Sequence, residues 1–451
     1  MHTARNAIRR AIQLAAGLVL LCASSGGAPP ARADDELKPG EVLNQSNWQK
    51  AEKLLPPEVL EHYKKGEYAN VIVEWKPDTY VHPRDFAEAS KANEGKYVVG
   101  EVGEILEKST GKQPDFILGF PFPTIDPKAP GAAAMVLWNH YYRTWYFGDF
   151  QVATQMNLIN AKALERRMDV VVNYAYYDAV PVRERKPNPL NLSAQQLTVI
   201  KSPTDLNGTA ALSWRFRDPT KRDNSWAYVP ALRRVRAVSP ANRSDGFAGS
   251  DMSQDDGPFF DGKVEDFVWT MKGEAEMYRF CDPISLAHKN IPAVWRPEGG
   301  WHIDWPPLKY FGYMDPEWKG LAWAPISFGL VKRPLWIIEG VPRDRYYLFG
   351  KIELYIDKET GQGGWNRKFA WNGELVNSFQ VSGSVPGESI RPDGGSDWNQ
   401  AAAMGFQGEE NIKRRQATVA GAKSDPKSGF EFHITFPQGF FDTAALSRFG
   451  K

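Results

Sequence analysis

The sequence predicts a mainly β fold of the α+β type, built on one curved antiparallel sheet with few helices. Three observations predict it: runs of β-branched and aromatic residues recur along the chain, apolar and polar residues alternate within those runs, and turn-forming residues separate them. Aromatic residues make up 13% of the 451-residue chain and include 16 Trp. That content indicates either a thick core or a large apolar surface.

The N-terminus has the pattern of a cleavable export signal. Three arginines precede an apolar run over residues 11–22, and Ala31-Arg32-Ala33 offers small residues for cleavage. We therefore assign residues 1–33 to a signal peptide cut after Ala33 and expect a periplasmic protein. Leu21 stands where lipidation of Cys22 would need a small residue, so an outer-membrane lipoprotein is not expected.

The composition after the signal peptide argues against several classes of protein. Four of the 55 basic residues and none of the acidic ones precede Asp34, which leaves 51 basic against 54 acidic residues. Such a near-balance does not fit a nucleic-acid binder. Only Cys281 remains, so an intramolecular disulfide is excluded. The chain contains no HExxH, CxxC or glycine-rich phosphate loop, and we expect neither a metal nor a cofactor.

The mature chain begins with helical signals. Asn47 is placed to cap a turn that includes Trp48, and Pro57 is placed to open a second short helix through Tyr63. We interpret residues 34–68 as a helical N-terminal segment and residues 69–451 as one large β domain.

The strand candidates follow from Asn70 onward. In residues 209–217, for example, Trp214 and Phe216 share one face with Leu212, and we expect Arg215 on the opposite, wetter face. The candidates are residues 71–75, 170–177, 196–201, 209–217, 226–238, 267–272, 335–340, 346–356, 368–372 and 430–436. Long loops over residues 240–262 and 382–399 are rich in Gly, Pro and Asp, which is typical of lids, binding loops or partner contacts.

A cluster of arginines stands in the candidate strand 226–238. Cations in the middle of a sheet need partners, and the nearest acids in the sequence lie in the loop that follows. One interpretation is an ion-pair network that ties the loop to its strand. The other is that the arginines hold an anionic head group at the mouth of a cavity. The residues of this predicted polar network are Arg233, Arg234, Arg236, Asp251, Asp255 and Asp256.

Several separated blocks resemble a known family, the domain-of-unknown-function family 1329. They are Gly119-Phe120-Pro121-Phe122-Pro123, Trp138-Asn139-His140, Tyr228-Val229-Pro230, Arg233-Arg234-Val235-Arg236, Phe247-Ala248-Gly249-Ser250-Asp251, Phe267-Val268-Trp269, Pro334-Leu335-Trp336-Ile337-Ile338-Glu339-Gly340 and Tyr355-Ile356-Asp357. Members of this family resemble periplasmic lipoprotein carriers and outer-membrane lipoprotein-sorting proteins. The resemblance implies a half-open antiparallel β-barrel wrapped over a few helices, with an apolar cavity that shelters acyl chains in the carriers. It also implies an outer-membrane channel or an exporter as partner.

Three hypotheses about function follow. The leading one is a non-enzymatic periplasmic carrier for a lipid or other hydrophobic molecule, whose cavity aromatics are Trp214, Phe216, Tyr228, Trp269, Trp336 and Tyr355. The second is an accessory subunit of an envelope transport complex that binds no ligand of its own. The third is an enzyme acting on lipid or polysaccharide, for which the available groups are His302, Asp304, Asp255 and Asp256.

Overall fold

The organising element of the fold is one large antiparallel sheet. The computed structural model describes residues 36–282, 293–304, 308–399, 406–422 and 429–449. The predicted signal peptide, residues 1–33, and Cys22 lie outside the described residues. The described residues from Glu36 onward form one compact unit.

Strands account for most of the regular structure in the described ranges. They are β1 (Val42–Leu43), β2 (Asn70–Val71), β3 (Tyr97–Val99), β4 (Ile105–Glu107), β5 (Phe150–Asn160), β6 (Leu164–Tyr176), β7 (Leu192–Ser202), β8 (Ala210–Phe216), β9 (Asn224–Val229), β10 (Arg234–Val238), β11 (Phe267–Cys281), β12 (Val294–Trp295), β13 (Trp301–Asp304), β14 (Gly329–Pro342), β15 (Lys351–Asp357), β16 (Gly363–Phe369), β17 (Leu375–Val381), β18 (Gly387–Ile390), β19 (Ser396–Asn399), β20 (Gln407–Asn411), β21 (Gln416–Ala422) and β22 (Gly429–Phe432).

The main sheet is open at both ends. Its strands follow the order β10-β9-β8-β7-β6-β5-β21-β20-β17-β16-β15-β14-β11, and among the described residues the end strands β10 and β11 do not pair with each other. At β5 the sheet forks, because β21 pairs with one half of that strand and β22 with the other half. The predicted mainly β class with a half-open antiparallel sheet is confirmed.

Four α-helices accompany the sheet in the part of the chain that the structure describes. They are α1 (Pro57–Lys64), α2 (Arg84–Ala92), α3 (Ala132–Trp145) and α4 (Thr443–Leu446). The helix predicted to open at Pro57 is α1, where proline stands at the first turn and its missing N–H costs no hydrogen bond. Helix α3, which was not predicted from the sequence, is buried on nearly all sides and packs against β11 and β14.

One predicted strand is a hairpin instead. Residues 226–238 were predicted as a single strand, but β9 ends at Val229, and a 3-10 turn over Pro230–Leu232 reverses the chain into β10. Pro230 cannot donate a ladder hydrogen bond, and Arg233 adopts a left-handed backbone with φ 49°. The turn therefore places Arg234 and Arg236 on the last strand of the sheet, while Arg233 stays in the turn.

Both faces of β8 are buried, which corrects the expectation of a wet face. Leu212 packs in a cluster with Tyr228 and with Phe441 and Leu446 from the C-terminal segment. On the opposite face Arg215 is also buried. Its charge is tolerated there because Asp223 and Asp261 accept hydrogen bonds from it.

Candidate functional site

An apolar pocket lies against one face of the central strands. It is a partly open depression, and its volume is about 740 Å³ when the adjoining solvent space is included. The sheet contributes Val152, Thr154, Met156, Val170, Val172, Tyr174, Gln196, Thr198, Gln407, Ala420 and Gly421, and the segment above it contributes Phe247, Met252, Ser253, Gln254, Asp256 and Gly257.

The alternation of side chains along the strands places these residues on the same face. Val152 of β5 lies opposite Val172 of β6, and Thr154 lies opposite Val170, so alternate positions of both strands point into the pocket. The face continues into β21, where Ala420 pairs with Met156. Strand pairing therefore builds a mainly apolar wall from residues distant in the sequence.

The segment above the pocket is residues 240–262, which we call the covering loop. It consists of short 3-10 turns, among them Phe247–Gly249 and Gln254–Asp256. The loop is bound directly to the sheet, because the backbone N–H of Asp251 donates to Oγ1 of Thr418 over 2.8 Å and the Asp251 carboxylate accepts from Gln416 at 3.0 Å. These bonds hold the loop over the pocket.

A buried arginine holds the covering loop from within. Arg243 donates through Nε to Oδ1 of Asp255 at 2.7 Å, and the Tyr347 hydroxyl donates to the other Asp255 oxygen at 2.9 Å. Burial by itself would lower the pKa of Arg243, but the charges of Asp255, Asp223 and Asp261 together outweigh it and hold that pKa above its ordinary value. Both ends of the pair lie inside the protein, so breaking it would leave an uncompensated charge.

A second buried charge cluster fastens the end of the loop. Lys368 of β16 donates to Asp256 and also to Glu409 of β20, with an Nζ to Oε2 distance of 2.7 Å for the latter. Burial and the nearby Asp256 carboxylate raise the pKa of Glu409 to about 8. One buried lysine is thus shared by two buried carboxyl groups.

The polar groups that face the pocket are largely uncharged. Nε2 of Gln196 donates to the Tyr174 hydroxyl oxygen at 2.7 Å, and Oε1 of Gln196 is buried without a hydrogen-bond partner among the described residues. The lining within the described ranges includes no histidine, cysteine, lysine or arginine, and Asp256, already paired, is its ionisable acid.

The six predicted cavity aromatics lie elsewhere. Trp214 and Tyr228 belong to the cluster beneath the C-terminal segment, where the Trp214 indole donates to the Phe441 carbonyl. They do not line the pocket, because the C-terminal segment packs on their side of the sheet. Phe216 lines a separate cavity, and the Trp269 indole on β11 donates to the Val264 carbonyl. The Trp336 ring lies under the Lys358 ammonium, and the Tyr355 hydroxyl accepts from Arg367.

The predicted polar network has different partners from those expected. Arg233, Arg234 and Arg236 are exposed on the hairpin, and within the described residues none of them forms an ion pair with the loop acids. Those acids pair instead within the fold: Asp255 with Arg243, and Asp256 with Lys368.

A second cavity lies between α3 and the sheet. Its helical wall is an aromatic stripe at the i, i+3, i+4, i+7 spacing, formed by Trp138, Tyr141, Tyr142 and Trp145. Glu265 borders this cavity and a wider charged cleft beside it. Burial raises the pKa of Glu265 to about 7, and its Oε2 has no hydrogen-bond partner among the described residues.

The groups named for the enzyme hypothesis occupy two different settings. His302 Nε2 lies 3.4 Å from Asp304 Oδ1 on β13, whereas Asp255 and Asp256 are buried in the covering loop. Within the described ranges, no group of three or more His, Cys, Asp or Glu side chains is arranged to hold a metal ion. The helices of those same ranges include none with the length and apolar character that crossing a bilayer requires.

Part of the pocket lining could be predicted from the sequence. The predicted strand 170–177 alternates, and its even positions Val170, Val172 and Tyr174 are the ones that line the pocket. Phe247 and Met252 of the covering loop were not predicted as lining residues, because no periodic pattern in an irregular loop indicates which side chains point inward.

Comparison with known proteins finds one family and several solved structures. A family model described as protein of unknown function (DUF1329) matches residues 42–300. A domain from Vibrio parahaemolyticus, provisionally described as an outer membrane lipoprotein-sorting protein, is 16% identical and aligns over 69% of this chain and 97% of its own, with TM-score 0.43. No curated protein matches the chain.

Two further structures are similar at the same level. A DUF1329 family protein from Desulfovibrio piger is 14% identical over 69% of this chain and 98% of its own, with TM-score 0.42. A LolA superfamily protein from Nitrosomonas europaea is 11% identical over 68% of this chain and 96% of its own, with TM-score 0.38. These TM-scores are low, so the description of the fold rests on the sheet of the chain itself.

Proposed function

The chain belongs to the DUF1329 family of proteins of unknown function, and we propose that this member is a non-enzymatic periplasmic carrier that binds a lipid or another hydrophobic molecule in the pocket beneath the covering loop. The observation on which the proposal depends is the apolar wall of β5, β6 and β21 facing that loop. The export signal at the N-terminus supports the periplasmic location.

The energetics of an apolar pocket suit a carrier. Each CH₂ group moved from water into such a pocket contributes about 0.8 kcal/mol, so an alkyl chain supplies useful affinity without any specific polar contact. Part of that gain is lost to the cost of association and of ordering the chain. The pocket is partly open to solvent, and the ligand can therefore enter and leave without unfolding the sheet.

The test is to identify what the protein holds when it is isolated. We would purify the mature chain from the periplasm under mild conditions, compare its native and denatured masses, and analyse the organic extract. A lipid-sized mass difference, recovered in the extract, is the expected result.

A matched pair of variants localises the bound molecule. Val172→Trp fills the pocket, whereas Val171→Trp adds the same volume to the opposite face of the same strand. The bound mass should disappear in the first variant and persist in the second. A protein that is empty in every form and co-purifies with a membrane complex would contradict the proposal and favour the accessory subunit.

A further inference from the structure

The polar groups in the pocket point to the chemical class of its ligand. This inference rests on the proposed function and deepens it. We infer that the pocket selects an uncharged amphiphile with a hydroxyl group, which the Gln196 amide and the Tyr174 phenol bind, over an anionic lipid of the same chain length.

The Gln196 and Tyr174 side chains have hydrogen-bonding capacity that the described residues do not fill. Tyr174 and Gln196 face each other across β6 and β7. Gln196 donates to the Tyr174 oxygen at 2.7 Å, which leaves the Gln196 Oε1 acceptor and the Tyr174 hydroxyl proton. Among the described residues, Oε1 is buried without a hydrogen-bond partner, and the Tyr174 hydroxyl proton has no acceptor. Buried polar groups normally have partners, so a donor and an acceptor side by side call for one.

A hydroxyl group matches the free acceptor of Gln196 and the free donor of Tyr174. A hydroxyl both donates and accepts, so one ligand oxygen can give its proton to Gln196 Oε1 and accept the proton of Tyr174. If the Gln196 amide is turned over, the free NH₂ group is satisfied by the oxygen of the same hydroxyl. An alkane satisfies neither group.

The described lining of the pocket offers no cation that could pair with an anionic head group. The described lining residues include no arginine or lysine, and the carboxylate of Asp256 belongs to the lining. Lys368, the cation behind Asp256, is already shared between Asp256 and Glu409. A carboxylate or phosphate ligand would therefore lose its water without gaining an ion pair, which is unfavourable in an apolar site.

A matched control pair lies beside this one, formed by Gln195 of β7 and Tyr177, the residue that follows β6. The Tyr177 hydroxyl donates to Oε1 of Gln195 at 2.6 Å, so the proton left over in the Tyr174 pair is used here. Neither Tyr177 nor Gln195 lines the pocket. Substitutions in this control pair perturb β7 and the end of β6 without changing the proposed contact.

The test compares three ligands of equal chain length. Decanol, decanoate at pH 8 and decane would each compete with the uncharged dye N-phenyl-1-naphthylamine for the delipidated mature protein, and decanoate is ionised at that pH. We expect decanol to bind at least tenfold more tightly than either of the others. Gln196→Leu and Tyr174→Phe should reduce the preference for decanol over decane to about twofold, with dye affinity and melting temperature retained, while Gln195→Leu and Tyr177→Phe should leave it intact.

The possible results distinguish a failure of the hydroxyl preference from a failure of the proposed carrier function. If the dye and the ligands bind but decanoate matches decanol, or if Gln196→Leu keeps the preference, the hydroxyl assignment is overturned and the carrier function stands. If neither the dye nor any ligand binds, the proposed function fails and the inference fails with it.

Discussion

The guanidinium of Arg243 and the carboxylate of Asp255 form a buried ion pair at 2.7 Å inside the covering loop. Replacing Arg243 with Met should lower the free energy of unfolding by about 3–5 kcal/mol, because buried carboxylates lose their counterion. Urea denaturation measures the change. Arg234→Met, on the exposed hairpin, should change the free energy of unfolding by no more than about 0.5 kcal/mol. Equal effects of the two substitutions would rule out a structural role for the pair.

His62 links stability to pH. Its ring nitrogens lie 2.8 Å from Glu67 and 2.7 Å from Glu410, and although burial opposes the charge, the two carboxylates raise the pKa of His62 to about 9 from 6.5. A raised pKa in the folded state stabilises the protein below pH 6.5, and this contribution is lost as the pH rises through 9. The stability advantage of the wild type over His62→Gln, up to about 3 kcal/mol, should therefore be present at pH 6 and gone near pH 10.

A second histidine provides a control of opposite sign. Burial lowers the pKa of His140 to about 4, so its neutral ring stabilises the folded state above pH 6.5 and that contribution is lost as the pH falls through 4. In urea titrations across pH, the advantage of the wild type over His140→Gln should shrink on the acid side. Parallel pH profiles for the two variants would contradict both assignments.

Glu265 should destabilise the protein at alkaline pH. Burial raises the pKa of this acid from 4.5 to about 7, so the folded state prefers the protonated form and its stability falls as the pH rises from 4.5 through 7. Glu265→Gln, which mimics the protonated acid, should raise the free energy of unfolding by up to about 3 kcal/mol at pH 8 and leave it unchanged at pH 4. Melting temperatures at the two pH values measure this, and a gain of equal size at both would exclude ionisation as the cause.

Met252 should contribute to ligand affinity from the covering loop. Met252→Ala removes apolar contact worth about 1.5 kcal/mol, which predicts roughly tenfold weaker binding of an uncharged dye. Met277 of β11 is comparably buried but does not line the pocket. Met277→Ala should therefore cost stability and leave dye affinity unchanged; a similar loss of affinity in both variants would show that it came from general destabilisation.

The partners of Asp255 and Asp256 could not be predicted from the sequence. Asp255 and Asp256 were assigned to Arg233, Arg234 and Arg236, in a segment expected to be one strand, although Arg243 is nearer to both acids in the sequence. Because Pro230 ends β9, those arginines turn outward on the hairpin, and the acids pair with Arg243 and with Lys368, which lies more than a hundred residues away. The wrong strand assignment therefore led to the wrong partners, because the turn carries these arginines away from the acids.

The sequence by itself determined the mainly β class, the family, and the alternation that places Val170, Val172 and Tyr174 on one face, because these depend on local periodicity and residue type. Only the tertiary structure decided which face of each strand forms a pocket and which is covered by the C-terminal segment. In an open sheet both faces can be apolar, and the choice is made by the elements that pack on them. The buried pairs of the covering loop make that choice, and they join residues that no local pattern connects.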